Sequence, residues 1–317
     1  MKSLLLAELG IPIEFANVEG PKSQKNHSII DLHASALNHR DVWITKGMYP
    51  GIVTPIILGS DGVGKVDGKN VIINPGINWG ANESVQSNDF EVLGLPRNGT
   101  FAEKICIENK YIYSKPEHLS ILEAAALPLA GVTAYRVLFS RCQLKSTDKV
   151  LVTGAGGGVA LMAIQFALAN GCEVHVTCGS DEKLGRAIEL GVSGGYNYKK
   201  EDWYKDVKVH FDIIIDSAGG DSFQHLVKLC APGARIGFYG ATLGKYNNLN
   251  PQLLFWRQVS ILGSTMGSDA DFKSMLDFVS KNKIHPIIDE VFDLKDGAKA
   301  FDKMAAGKQF GKIVLQH

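Results

Sequence analysis

Residues 150–166, VLVTGAGGGVALMAIQF, decide how the chain is read. The apolar run Val150 to Val152 gives way to Thr153 and then to glycines 154, 156, 157 and 158, and from Val159 onward the spacing is helical. A strand that turns at once into a helix needs residues without Cβ in the turn. Their backbone can then approach a pyrophosphate closely, and the helix N-terminus supplies free N–H groups and a positive dipole end. A glycine cluster alone also makes a plain turn. Here a strand precedes it, a helix follows and further units repeat the pattern, so Gly154, Ala155, Gly156, Gly157, Gly158 and Val159 read as a dinucleotide cradle.

Moving outward toward the C-terminus, "EVHVTC" (173–178), "FDIIID" (211–216) and "RIGFYG" (235–240) are apolar strands. They are separated by the helical stretches "DEKLGRAIEL" (181–190), closed by Gly191, and "SFQHLVKLC" (222–230), stopped by Pro232-Gly233. Short apolar strands between amphipathic helices predict a parallel sheet covered on both faces, a doubly wound α/β lobe. An NAD-preferring site of this kind carries Asp or Glu at the end of the second strand. This chain has Thr177-Cys178-Gly179-Ser180 there, with Lys183 one turn into the helix and Tyr198 further on, both placed to reach a 2′-phosphate. Ser180 also reads as a helix N-cap and Lys183 as a solvated helix face, and Asp181 and Glu182 lie close by. NADPH is the expected cofactor.

Toward the N-terminus the texture is different. "SIIDLHASAL" (28–37), "VIINPG" (71–76) and "TFAEKICI" (100–107) are strand-like pieces punctuated by Gly, Pro and Asn, which predicts an antiparallel, partly open β lobe. From about Ser120 the chain turns helical and rich in Ala and Leu, and the tail "AFDKMAAGKQFGKIVLQH" (300–317) ends in a strand able to rejoin the first lobe. The expected division is therefore 1–118 completed by 285–317, and 119–284.

A length of 317 residues suits two such lobes. With 33 basic and 33 acidic residues, no net charge and no block of like charge, the footprint of a nucleic-acid binder is missing, and a small-molecule partner fits better. The apolar stretch before Glu8 is too short for a secretory signal, and the uncharged run Val150–Cys172 is broken by Thr153, glycines, Gln165 and Asn170. A cytoplasmic protein without membrane contact is expected. Five scattered cysteines with no C-x-x-C pair argue against a disulfide framework and against a cysteine-rich zinc cluster.

One tetrad, Asn38-His39-Arg40-Asp41, is open to three readings: metal site, acid/base cluster or ordinary turn. It belongs to a larger set. "ALNHRD", "ILGSDGVG", "AALPLAGVTAYRVL", "VLVTGAGGGVA", "GSDEKLGRAIELG", "IDSAGG", "GARIGFYGA" and "FGKIVL" together resemble the medium-chain dehydrogenase/reductase superfamily over nearly the whole chain, most closely its zinc-independent, quinone oxidoreductase-like branch. The resemblance implies a GroES-like, partly open β-barrel catalytic domain beside a Rossmann domain. One departure is the short "DGK" (67–69), where relatives carry a longer hairpin.

In the zinc enzymes of the superfamily a Cys begins the tetrad, a His-Glu pair stands in the "ILGSDGVG" region and a second Cys precedes "AGVT". Here those places hold Asn38, Ser60-Asp61 and Leu129, and residues 76–99 contain no cysteine. Zinc needs three or four N, S or O donors, so a metal-free pocket is expected. The resemblance further implies that Asn38 lines the pocket near nicotinamide and substrate, and that Asp41 orients Asn38 or Arg40. Tyr49 is implied as a proton source, with a packed aromatic as the other reading. Thr133 should bond the nicotinamide-ribose side, Gly240, Ser264 and Thr265 should border the nicotinamide, and Lys312 should approach a phosphate. A homodimer is implied as well.

Without a Lewis acid, reduction of a conjugated C=C or a quinone is easier than that of a simple ketone, because the developing charge spreads to a distant oxygen. The leading expectation is an NADPH-dependent, metal-free oxidoreductase acting on quinones or α,β-unsaturated carbonyls. An alcohol or aldehyde dehydrogenase working without zinc, and a non-catalytic NADPH-binding sensor or structural protein, are the alternatives.

Overall fold

In a computed structural model, which describes all 317 residues, the strand Lys149–Val152 lies inside a six-stranded sheet. From edge to edge the sheet runs Gly194–Asn197, Glu173–Cys178, Lys149–Val152, Phe211–Asp216, Cys230–Phe238 and Ser260–Gly263, with every pair parallel. Numbered within this unit the order is 3-2-1-4-5-6, that of dinucleotide-binding α/β folds. The order reverses between Lys149–Val152 and Phe211–Asp216, and a crevice at the carboxyl ends of those two strands follows from the topology. The helix Gly158–Ala169 is apolar on nearly all sides because it is buried: Leu161, Met162, Ile164 and Phe166 are each no more than 2% exposed. Each such side chain contributes roughly 1.5–3 kcal/mol of burial free energy.

The other unit is built on antiparallel strands. His27–Ala36 pairs with Asp61–Val66 and Lys104–Glu108, and Asp61–Val66 with Lys69–Ile73. The C-terminal strand Lys312–Gln316 pairs antiparallel with His27–Ala36, so the tail does return to this lobe. The expected trimmed hairpin is a two-residue turn, Asp67-Gly68, with φ of 49° and 76°. Positive φ at both positions suits the twist of the flanking strands, and Asp-Gly supplies it at low strain. The core packs Leu4, Leu6, Leu37, Ile44, Phe101, Phe301 and Ile313 together, with Phe101 and Phe301 edge to face at 5.9 Å. Under the strand that begins at Asp61, Gly99 crosses so near Gly59 that a Cβ at Gly99 would overlap the Gly59 carbonyl oxygen. Only glycine permits that crossing, which fixes where Ser60 and Asp61 stand.

The two units are Met1–Val132 with Gly267–His317, and Thr133–Met266. This differs from the expected division at 118/119 and 284/285. The helices Ile121–Ala125 and Asp269–Asn282 carry the Ala-rich and amphipathic texture of an α/β lobe, yet both belong to the β lobe. Ala124 and Ala125 are buried where the first of them packs on the strands His27–Ala36 and Asp61–Val66, and Phe272 of the second meets the Tyr113 ring at 5.1 Å. Helical spacing reports local structure, and packing partners decide which core a helix joins.

Candidate functional site

In the α/β unit the glycine turn has the conformation its sequence requires. Gly154 and Gly156 adopt φ of +70° and +117°, and Gly157 is the N-cap of the helix Gly158–Ala169. A Cβ on Gly157 would meet nothing nearer than the Gly154 carbonyl oxygen at 3.7 Å, so its absence serves clearance in front of the turn. The turn is pinned to the next strand by Ala155 N–H donating to Thr177 O (2.9 Å) and Cys178 Sγ–H to Ala155 O (3.0 Å). Thr153 Oγ1 donates to Asp216 Oδ1 at 2.7 Å, tying the two strand ends at the switch point.

Two hydroxyls of this unit, Thr133 Oγ1 and Ser264 Oγ, are buried with no partner. A buried polar group left unbonded costs about 1–3 kcal/mol, so each fits a ligand atom that completes it. Gly240 packs against Ser217, whose carbonyl oxygen would lie 3.0 Å from a Cβ there, and Thr265 is exposed. The clearance at Gly157 and the two orphaned hydroxyls together fit a dinucleotide.

The end of the strand Glu173–Cys178 bears on the choice of dinucleotide. A Cβ on Gly179 would stand 2.8 Å from Tyr198 Oη and 3.0 Å from Lys199 Cε, so the Tyr198 phenol and a lysine stem crowd the strand end. Burial, then the neighbouring Cys178, pushes the Tyr198 phenol up, keeping it a proton-bearing donor. Ser180 is the N-cap of Asp181–Glu189, its Oγ accepting from Lys183 N–H. Asp181 is turned toward the neighbouring strand, where its Oδ1 accepts from Asn197 Nδ2 at 2.8 Å.

In the β unit the tetrad is a helix start. Asn38, extended at φ −127° and ψ 153°, is the N-cap of His39–Thr45, and its backbone N–H donates to Asp41 Oδ2 at 2.8 Å. Asp41 thus fixes the backbone of Asn38 and leaves its amide to others. Asn38 Nδ2 donates to Asp61 Oδ2 (2.9 Å), and Asn38 Oδ1 accepts from Lys312 Nζ (2.6 Å). Burial raises the Asp41 carboxyl to about 6, against the opposing pull of the Arg40 guanidinium and the Asn38 N–H. Its Oδ1 has no partner.

Arg40 donates to Ser60 Oγ and Leu93 O at 2.8 and 2.9 Å, and its guanidinium lies 5.1 Å from the centre of the Tyr49 ring. Tyr49 also packs against the apolar core of this unit. His39 takes no part in the amide network: it meets Trp43 edge-on, and crowding by protein atoms and then the Lys312 charge lower its pKa, leaving it neutral at pH 7.

The expectation for Lys312 needs correction. Its ammonium is buried, and its three protons go to Leu37 O, Asn38 Oδ1 and Asp61 Oδ2, so it has none left for a phosphate. Asp61 is the site residue that sequence reasoning missed, and Lys312 was expected in a different role. The available signal was a charge embedded in an apolar strand in each of "ILGSDGVG" and "FGKIVL", since opposite buried charges must find one another.

The side chains at the places matched to the catalytic zinc do not fit a zinc ion. They are an amide held by an ammonium, a serine hydroxyl engaged with Arg40 and Leu93, the Asp61 carboxylate, whose two oxygens are taken by Lys312, Asn38 and the Leu129 N–H, and Leu129, whose side chain has no donor atom. No group of three or more His, Cys, Asp or Glu side chains is placed to hold a metal.

Two family models match the chain: the alcohol dehydrogenase GroES-like domain over residues 24–117 and the zinc-binding dehydrogenase over 158–281. A zinc-type alcohol dehydrogenase-like protein, YogA, of Leptosphaeria maculans is 33% identical, the match covering 96% of this chain and 94% of that protein. The crystal structure of an NAD-dependent alcohol dehydrogenase is 35% identical with a TM-score of 0.94 over the full length of both chains. The quinone oxidoreductase of Thermus thermophilus, solved alone and with NADPH, is 25% identical with a TM-score of 0.84, again over the full length of both. No helix is long and apolar enough to cross a membrane.

Proposed function

This chain belongs to the medium-chain dehydrogenase/reductase superfamily of oxidoreductases, and on that premise we propose that it uses NADPH to reduce a small quinone or α,β-unsaturated carbonyl without a metal ion. The observation that carries the proposal is the Asn38 amide, clamped between Lys312 and Asp61 with one N–H unspent. When bound, the cofactor supplies the hydride. The glycine turn 154–158 and the hydroxyls of Thr133 and Ser264 hold it. Asn38 donates its free N–H to the substrate oxygen on which negative charge gathers, and Tyr49 delivers the proton. Such an acid contributes ~10² to 10⁴ in rate.

The preference for NADPH rests on Tyr198 and Lys183 beside a strand end without a carboxylate. The oxidoreductase from Thermus thermophilus, which was solved with NADPH, supports that choice. The 35%-identical relative described as NAD-dependent favours a second reading, an NAD(H)-linked alcohol dehydrogenase. Both are tested by following NADPH and NADH oxidation over quinones, enones and aldehydes, and NADP⁺ and NAD⁺ reduction with alcohols. Fast NADPH oxidation confined to quinones or enones supports the proposal. Turnover of alcohols with NAD⁺ alone replaces it by the second reading.

We also propose a homodimer joined at the free edge of Ser260–Gly263, beside which Phe255 and Trp256 are 61% and 82% exposed. Trp256→Asp should then yield a monomer in light scattering.

A further inference from the structure

Three buried groups meet in the β unit. Lys312 opens the last strand, Asp61 opens the strand Asp61–Val66, and Asn38 caps the helix His39–Thr45. Lys312 Nζ donates to Leu37 O at 2.7 Å, Asn38 Oδ1 at 2.6 Å and Asp61 Oδ2 at 2.8 Å. Asp61 Oδ2 also accepts from Asn38 Nδ2 at 2.9 Å, and its Oδ1 from Leu129 N–H at 2.7 Å. A lysine ammonium has no acceptor and an ionised carboxylate no donor. The amide therefore has one orientation, with its oxygen on the cation and one N–H on the anion. Every proton of the set is used except the second on Asn38 Nδ2, and Asn38 is the most exposed of the three, at 7% against 4% for Lys312 and none for Asp61.

We infer that Lys312 acts on the substrate through Asn38: the ammonium polarises the amide through Oδ1, so that the free Nδ2–H becomes a stronger donor to the substrate oxygen, a charge-stabilising role that zinc fills in metal-dependent relatives. This rests on the reading that Asn38 faces the reducible substrate. Asp61 and Lys312 are then positioning residues. Cooperative polarisation strengthens a hydrogen bond by about 10–30%, and the loss of a preorganised donor to a developing oxyanion costs ~10² to 10³ in kcat. Removing the polarising cation while leaving the amide should cost about 10–30% of that effect on a logarithmic scale, about 2-fold to 8-fold in kcat.

The test is a double-mutant cycle between Asn38→Ala and the charge-neutral pair Lys312→Met/Asp61→Asn, which leaves no lone buried charge and so keeps the variant folded. Read-outs are kcat and KM for a quinone and an enone, and NADPH Kd from nicotinamide fluorescence. The neutral pair is expected to lower kcat by about 2-fold to 8-fold with NADPH Kd within about 1.5-fold, and to leave kcat within about 1.5-fold once Asn38 is alanine. An equal loss in both backgrounds overturns the inference while leaving Asn38 its role. If Asn38→Ala alone leaves kcat unchanged with quinones and enones, the underlying substrate reading fails, and the inference with it.

Discussion

Lys312 Nζ stands 2.8 Å from Asp61 Oδ2, with the two side chains only 5% and 0% exposed. Breaking such a pair by removing one partner leaves an uncompensated buried charge and typically costs about 3–5 kcal/mol. Lys312→Met should therefore lower unfolding stability by ~3–5 kcal/mol, and adding Asp61→Asn should recover most of it. Urea unfolding of the two variants measures the difference. A double variant as unstable as the single one would contradict the ion pair.

Thr133 Oγ1 is buried and unbonded in the chain alone. Thr133→Val keeps the shape and removes the orphan, so the ligand-free protein should melt no lower than the parent. NADPH binding should weaken by about 1 kcal/mol, several-fold in Kd, because the ligand loses its partner. Thermal melting with and without cofactor separates the two effects. Equal melting shifts on cofactor addition for parent and variant would remove Thr133 from the cofactor site.

Tyr198 and Lys183 carry the cofactor preference. Lys183→Met with Tyr198→Phe should raise KM for NADPH by roughly tenfold or more while leaving NADH nearly unchanged, since only the 2′-phosphate loses contacts. Steady-state kinetics with both cofactors decides it, and a parallel loss for NADH would place these residues elsewhere.

Tyr49 lies against the Arg40 guanidinium, a contact that a phenyl ring keeps. Tyr49→Phe should consequently preserve stability while lowering kcat by ~10² if the phenol delivers the proton. Unchanged kcat would reduce Tyr49 to a packing residue.

Asp41 gives the pH dependence a definite sign. Its carboxyl is raised to about 6 in the folded chain from an ordinary 3.8, so the folded state holds that proton more tightly than the unfolded one. The contribution is full below about 4 and is lost as pH rises through about 6, a fall on the order of 3 kcal/mol. Asp41→Asn, which still accepts from the Asn38 N–H, should abolish it. Stability of parent minus variant, followed by urea unfolding from pH 4 to 7, should therefore decline with pH. A flat difference would mean that burial does not hold the proton on Asp41.

Much of the α/β unit was legible because its signals are local. Gly154 and Gly156 occupy backbone conformations that side chains disfavour, and Ser180 caps the helix it immediately precedes. The β unit was harder to bound. Ile121–Ala125 and Asp269–Asn282 have ordinary helical spacing, and nothing within either segment names the core it packs on.

The amino-acid order by itself determined the strand–glycine–helix turn, the parallel α/β architecture around it, and the lack of zinc ligands at Asn38, Ser60 and Leu129, because each depends on residue type at short range. It could not place Lys312. The family resemblance puts the lysine of "FGKIVL" at a phosphate. Only the return of the C-terminal strand beside His27–Ala36 brings its ammonium to Asn38 and Asp61, across 274 and 251 residues of sequence. A buried charge settles where an opposite charge and hydrogen-bond acceptors already wait, and tertiary pairing decides where that is.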